Sequence, residues 1–134
     1  MAANLSTYME DRIINFMRGT AITGEAAMYM ALFTADDGLE VGTITSEVAD
    51  LYDYARQLVG LDASADGVTT NGAAITFPVA NGGALGIITH FAIIDSAVHA
   101  AGNVVMHGAF AAPRTVADGE TFQINAGELD ITIT

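Results

Sequence analysis

From Asn4 to Arg18 the apolar residues recur at helical spacing, and at about 100° per residue Leu5, Tyr8, Met9, Ile13, Phe16 and Met17 gather on one broad side. The pattern predicts an amphipathic helix over 4–18. Thr7 followed three residues later by Glu10 fits a capping box, Arg18 complements the dipole at the C-terminal end, and Gly19 is placed to stop the helix. Ile14 falls on the polar side among Glu10, Asp11 and Arg18, which makes it a candidate contact with another chain. The plainer reading of that position is a singly exposed isoleucine.

After the helix the period changes to two. Apolar alternation punctuated by turn residues predicts strands at Ala27–Thr34, Thr43–Val48, Tyr52–Leu61, Ala73–Phe77, Gly86–Asp95, Asn103–Phe110, Thr121–Asn125 and Glu128–Thr134. Between them stand Asp36-Asp37-Gly38, Asp66-Gly67, Asn81-Gly82-Gly83, Gly102-Asn103, Asp118-Gly119 and Ala126-Gly127, which supply the positive φ of tight turns. The last segment alternates cleanly, with Leu129, Ile131 and Ile133 on one face. By contrast, Ala27–Phe33 and Ile87–Ile94 are apolar on both faces, as expected of central strands or strands covered by the helix. The expected architecture is a mainly β, antiparallel β-sandwich or jelly-roll-like domain over 27–134 behind one N-terminal helix, all within a single domain of 1–134.

Charge narrows the partners. The net charge is −12, with four arginines, no lysine and no clustering of the cations. Nucleic acids and anionic membranes are bound through grouped Lys and Arg, so neither is an expected partner. No cysteine is present, which removes disulfides and thiolate chemistry. The region before Arg12 lacks the pattern of a secretory signal, and the most apolar stretch, Leu85–Ile94, is about half the length of a bilayer span.

No catalytic constellation stands out, and no enzyme activity or cofactor is expected. His90, His99 and His107 lack the spacing of a zinc site. His90 shares a strand face with Ile88, Ala92 and Ile94, and His107 alternates with Val105 and Ala109, so both read as half-buried, hydrogen-bonded side chains; His99 falls in a loop. Asp62, Ser64, Asp66 and Gly67 resemble the first half of a calcium loop, but its twelfth position is Ala73, so a hairpin turn is the better reading. Asp36, Asp37 and Glu40 read as solvated turn residues. Gly82, Gly83 and Gly86 lack the βαβ setting of a dinucleotide site.

Taken in order, Tyr8–Ala21 (YMEDRIINFMRGTA), Met28–Thr34 (MYMALFT), Tyr54–Gln57 (YARQ), Ile75–Pro78 (ITFP), Ile88–Asp95 (ITHFAIID), Val104–Phe110 (VVMHGAF) and Arg114–Leu129 form a succession over nearly the whole chain. It resembles a family of small virion proteins of tailed bacteriophages, described as decoration, cement or tail-fiber-like proteins. The resemblance implies a structural role in the virion. The favoured form is a capsid decoration protein that stabilises the head by binding the major capsid protein and itself, as a dimer or trimer. A tail or tail-fiber component is the alternative, and a carbohydrate- or receptor-binding module is the reading of a different class. The mark of that last reading is an exposed aromatic beside carboxamides on one loop, and the absence of Trp argues against it. The expected partner contacts are Tyr8, Ile14, Met17, Tyr52 and Tyr54. Among the matching residues Arg56 is expected to hold a carboxylate or carbonyls in a fork, Pro78 and Pro113 to end strands or occupy edges, and Asp118-Gly119 to turn the chain before Phe122.

Overall fold

The computed structural model describes residues 1–133. Among them β1 (Ala2–Leu5) precedes the helix α1 (Thr7–Met17), followed by β2 (Tyr29–Phe33), β3 (Gln57–Leu58), β4 (Val68–Thr70), β5 (Ile75–Thr76), β6 (Gly86–Ile94), β7 (Val104–Val116), β8 (Gln123–Ile124) and β9 (Asp130–Thr132). Seven strands form a curled sheet in the order β3-β2-β6-β7-β1-β9-β4, and β5 pairs with β8 apart from it. Every pair is antiparallel except β1 with β9. The fold is therefore mainly β with one helix near its front, as the sequence predicts.

The period-two pattern of β2 divides its side chains between two clusters. Met30 and Leu32 join the main core with Phe77, Phe91, Ile93, Phe110, Phe122 and Ile124, whereas Ala31 and Phe33 meet Leu39, Ala92, Ile94 and Val104 on the other face. Both faces of β2 and β6 are thus covered, which is why these segments carry no polar alternation. The cover on the second face is the loop bearing Leu39 and Ile44, with a short 3-10 turn at Leu39–Val41, and not the helix. At the centre of the sheet Gly108 lets β1 approach closely, since a Cβ there would lie 2.4 Å from the Ala2 carbonyl oxygen and 2.7 Å from the Phe91 ring.

Two β-bulges change which residues share a face. The β6–β7 register shifts between Ile88 and His90 and again between Ile93 and Ile94. β7 carries three extra residues at the first shift and one at the second, and an odd excess inverts the alternation. Ile88 therefore enters the main core with Phe91 and Ile93, while His90 does not follow it. Val105 likewise turns into that core, whereas His107 points the other way and meets Glu40. The expected groupings of His90 with Ile88 and of His107 with Val105 are corrected accordingly.

Several element boundaries also differ from expectation. Ala2–Leu5 is a strand, so the helix begins at Thr7 with Ser6 as its N-cap, and the capping box at Thr7 is displaced by one residue. Thr43–Val48 touches β2 through a single bridge, Phe33 with Glu47, because Glu47 is drawn inward by Arg56. Tyr52–Leu61 shrinks to β3, since Tyr52 and Asp53 adopt φ of +56° and +65°, outside any strand. Val68–Thr70, not expected as a strand, pairs with β9 after a tight Asp66-Gly67 turn in which both residues have positive φ. β7 continues through Pro113 to Val116, on a stretch where only β6 lies beside it, so the missing N–H disturbs no ladder on the other side. Leu129 and Ile131 are buried as expected, but Ile133 is exposed; Thr134 lies outside the described residues.

Candidate assembly interface

The helix is held to the sheet at its start and released at its end. Ser6 Oγ accepts from the Met9 N–H at 3.4 Å and donates to the Val104 carbonyl, which fixes the first turn against β7. Leu5, Tyr8 and Met9 pack on the main core. Arg12 then donates to the Tyr8 hydroxyl at 2.7 Å, to the Thr23 carbonyl and to Glu25, tying the returning chain to the helix. No residue of α1 is fully buried.

Past Arg12 the helix is only partly covered, with Ile13 and Asn15 half-buried and the other side chains exposed. Ile14, Phe16 and Met17 are 50, 59 and 72% exposed, and Ile22 follows on the return. Phe16 and Met17 belong to the apolar side of the predicted helix, yet they stay uncovered because only the first turns have core residues beneath them. Leu5, Glu10, Ile13, Ile14 and Ile133 line a shallow groove of about 400 Å³ beside this surface. Gly19, with φ of +94°, ends the helix, its N–H bonded to the Phe16 carbonyl. Of the five expected contacts, Ile14 and Met17 therefore stand together in the open and Tyr8 is half-buried at the base of the same helix.

Tyr54 is a core residue. It stacks on Phe77, and its hydroxyl accepts from the Leu32 N–H at 3.0 Å and donates to Glu47 at 3.1 Å. It offers almost no surface to a partner, so its expected contact role is corrected. Arg56 forms the predicted fork: Nε and Nη2 reach Glu47 Oε1 and Oε2 at 2.8 and 2.7 Å, and Nη1 donates to the Ser96 and Ala101 carbonyls at 2.8 and 2.7 Å. Glu47 also accepts from the Ala100 N–H at 3.0 Å. Burial pushes its carboxyl up, but the Arg56 hydrogen bonds and the Ala100 N–H more than offset this and hold it below the usual carboxylate value. A carboxylate saturated in this way is not free to move a proton. Burial and the adjacent Glu47 charge hold the Tyr54 hydroxyl well above its ordinary value.

The remaining candidates are also tied into the fold. His107 Nε2 meets Glu40 at 2.7 Å, and His99 Nε2 meets the Val48 carbonyl at 2.8 Å. Asp36 caps the 3-10 turn, its carboxylate held below the usual range by the Leu39 and Gly38 N–H groups. No group of three or more His, Asp or Glu among the described residues is arranged to hold a metal. Pro78 follows β5, and Gly119, at φ of +84°, turns the chain between β7 and β8 with Asp118 Oδ1 accepting from the Gly82 N–H at 3.0 Å.

The model of the podophage GP4 fiber I protein gp80 family matches residues 4–132. The chain belongs to that family. It is accordingly a phage structural protein and a component of the virion. No curated protein matches the sequence.

In this gp80-family chain the match takes in both the exposed helix surface and the Arg56–Glu47 clamp. Phe16 is the surface residue that sequence reasoning does not single out, because helical periodicity reports one apolar side without reporting how much of it is covered. Glu47 was not singled out at all; its signal was Arg56, an arginine in an acidic chain that needed a carboxylate partner.

Proposed function

We propose that the chain is a subunit of a phage fiber, and that the open end of α1 is where it joins another protein of the virion, a second copy of itself first of all. The observation that carries this reading is the family match, whose description is that of a fiber protein. The helix supports it physically. Covering a large apolar side chain contributes about 1.5–3 kcal/mol, and Ile14, Phe16 and Met17 lie within one turn of each other. Repeated by symmetry around a dimer or trimer, such a contact suffices to hold a small acidic subunit in place. The charge of −12 makes this contact firmer at physiological salt than at low salt, through screening of self-repulsion.

Capsid decoration draws on the same surface but has no further observation in its favour. Labelling intact virions with a gold-conjugated antibody against the chain separates the two. Label confined to fibers supports the reading, and label spread over the head overturns it.

A further inference from the structure

Two asparagines, Asn71 and Asn81, are followed directly by glycine. Such a pair is chemically the most prone to close on itself, because a following residue without a Cβ leaves its backbone nitrogen free to reach the asparagine Cγ. The fold treats the two pairs in opposite ways. Asn71 is 1% exposed and its carboxamide is saturated: Nδ2 donates to the Ala73 and Asn125 carbonyls and Oδ1 accepts from the Leu129 N–H, each at 2.9 Å. The Gly72 N–H is occupied by the Gly60 carbonyl at 3.1 Å. Turning the Asn71 carboxamide onto its own main chain would break all three of its bonds and leave the Leu129 N–H buried without a partner. Asn81 lies on the exposed loop between β5 and β6. Its carboxamide makes a single bond, Nδ2 to the exposed Asp53 Oδ2 at 3.2 Å, at the long end of the hydrogen-bond range. Gly82 is exposed as well, at φ of +88°, and its N–H points at the Asp118 carboxylate in solvent, 3.0 Å away, rather than into a buried carbonyl.

We propose that Asn81 is a site of spontaneous covalent modification, closing onto Gly82 as a succinimide that opens to aspartate and isoaspartate, while Asn71 is protected by the fold. The Gly82 nitrogen bonds to Asn81 Cγ as its proton passes to solvent. The Cγ–Nδ2 bond breaks, and the amide group takes a proton from water and leaves as ammonia. Water then opens the ring. Attack at the side-chain carbonyl gives aspartate, and attack at the main-chain carbonyl gives isoaspartate, in which the backbone runs through Cγ. Either product adds one negative charge, taking the chain from −12 to −13. Either also replaces the donor that faces Asp53 with a carboxylate, so the Asn81–Asp53 bond gives way to repulsion. The modification does not depend on where the chain sits in the virion.

The test is prolonged incubation of the full chain in warm, mildly alkaline buffer, in parallel with the same chain unfolded in urea, followed by peptide mapping with mass spectrometry. In the native chain the peptide bearing Asn81 is expected to gain the mass of amide-to-acid conversion and to split into aspartate and isoaspartate forms, with Asn71 converting at least tenfold more slowly. In urea the two pairs should convert at similar rates, which shows that the fold and not the neighbouring sequence makes the difference. Ion-exchange chromatography should resolve a more acidic species that grows in step with the Asn81 conversion and is absent from Asn81→Gln, whose longer side chain closes a ring far more slowly. A native Asn81 that stays intact after the unfolded chain has converted, an Asn71 that keeps pace with it in the native chain, or an Asn71 equally slow in urea overturns the proposal.

Discussion

Arg56 and Glu47 meet through two hydrogen bonds, at 2.8 and 2.7 Å, with both side chains only 1% exposed. This pair ties the long connection between β2 and β3 to the loop between β6 and β7, because Arg56 also holds the Ser96 and Ala101 carbonyls and Glu47 holds the Ala100 N–H. Removing either partner strands the other charge in the interior. Arg56→Ala and Glu47→Ala are each expected to cost about 3–5 kcal/mol, read by urea unfolding, and to be strongly non-additive in the double variant. A loss below about 1 kcal/mol in both would reduce the pair to a surface-like contact.

The same pair sets the response to acid. The folded Glu47 carboxyl titrates below its ordinary value of 4.5, so its contribution to stability is complete above that pH and is lost as the pH falls through the lower, folded value. Wild-type stability is expected to decline below about pH 4.5. The decline should be shallower in Glu47→Gln, whose stability is lower at neutral pH. Parallel acid profiles for the two proteins would contradict this.

Gly108 is required by packing rather than by backbone angle. Gly108→Ala sets a methyl against the Ala2 carbonyl and the Phe91 ring, and it should destabilise by about 1–3 kcal/mol in thermal unfolding. Gly24→Ala, where nothing lies within 4 Å, serves as the control and should remain within about 0.5 kcal/mol.

The helix surface should behave in the opposite way. Phe16→Gln and Met17→Gln preserve helix propensity at exposed positions and should change monomer stability by no more than about 0.5 kcal/mol. In sedimentation velocity they should shift the chain toward the monomer relative to wild type. An unchanged distribution in the double variant would remove this surface from self-assembly.

Legibility in the sequence followed the length and regularity of each signal. The helix, the two-sided apolar strands β2 and β6, the turn at Asp118-Gly119 and the fork at Arg56 were all readable, because each rests on a local pattern or a single residue's chemistry. β1 was not, since its four residues run without a break into the helical pattern and acquire their strand form only by slotting between β7 and β9. Bulges are equally silent in a sequence, so His90 and His107 were grouped with the wrong neighbours. Tyr52 and Tyr54 show the limit most directly. Strict alternation puts them on one face, whereas the left-handed pair Tyr52-Asp53 breaks the phase, turning one outward and burying the other.

Fiber and head-surface roles differ most sharply in stoichiometry. Fibers attach at a few symmetry-related points, while decoration follows the capsid lattice. Quantitative mass spectrometry of purified virions, with the major capsid protein as the internal standard, therefore tests the central claim most directly. A few dozen copies or fewer per particle is the predicted result; several hundred, approaching the number of capsid subunits, would contradict it.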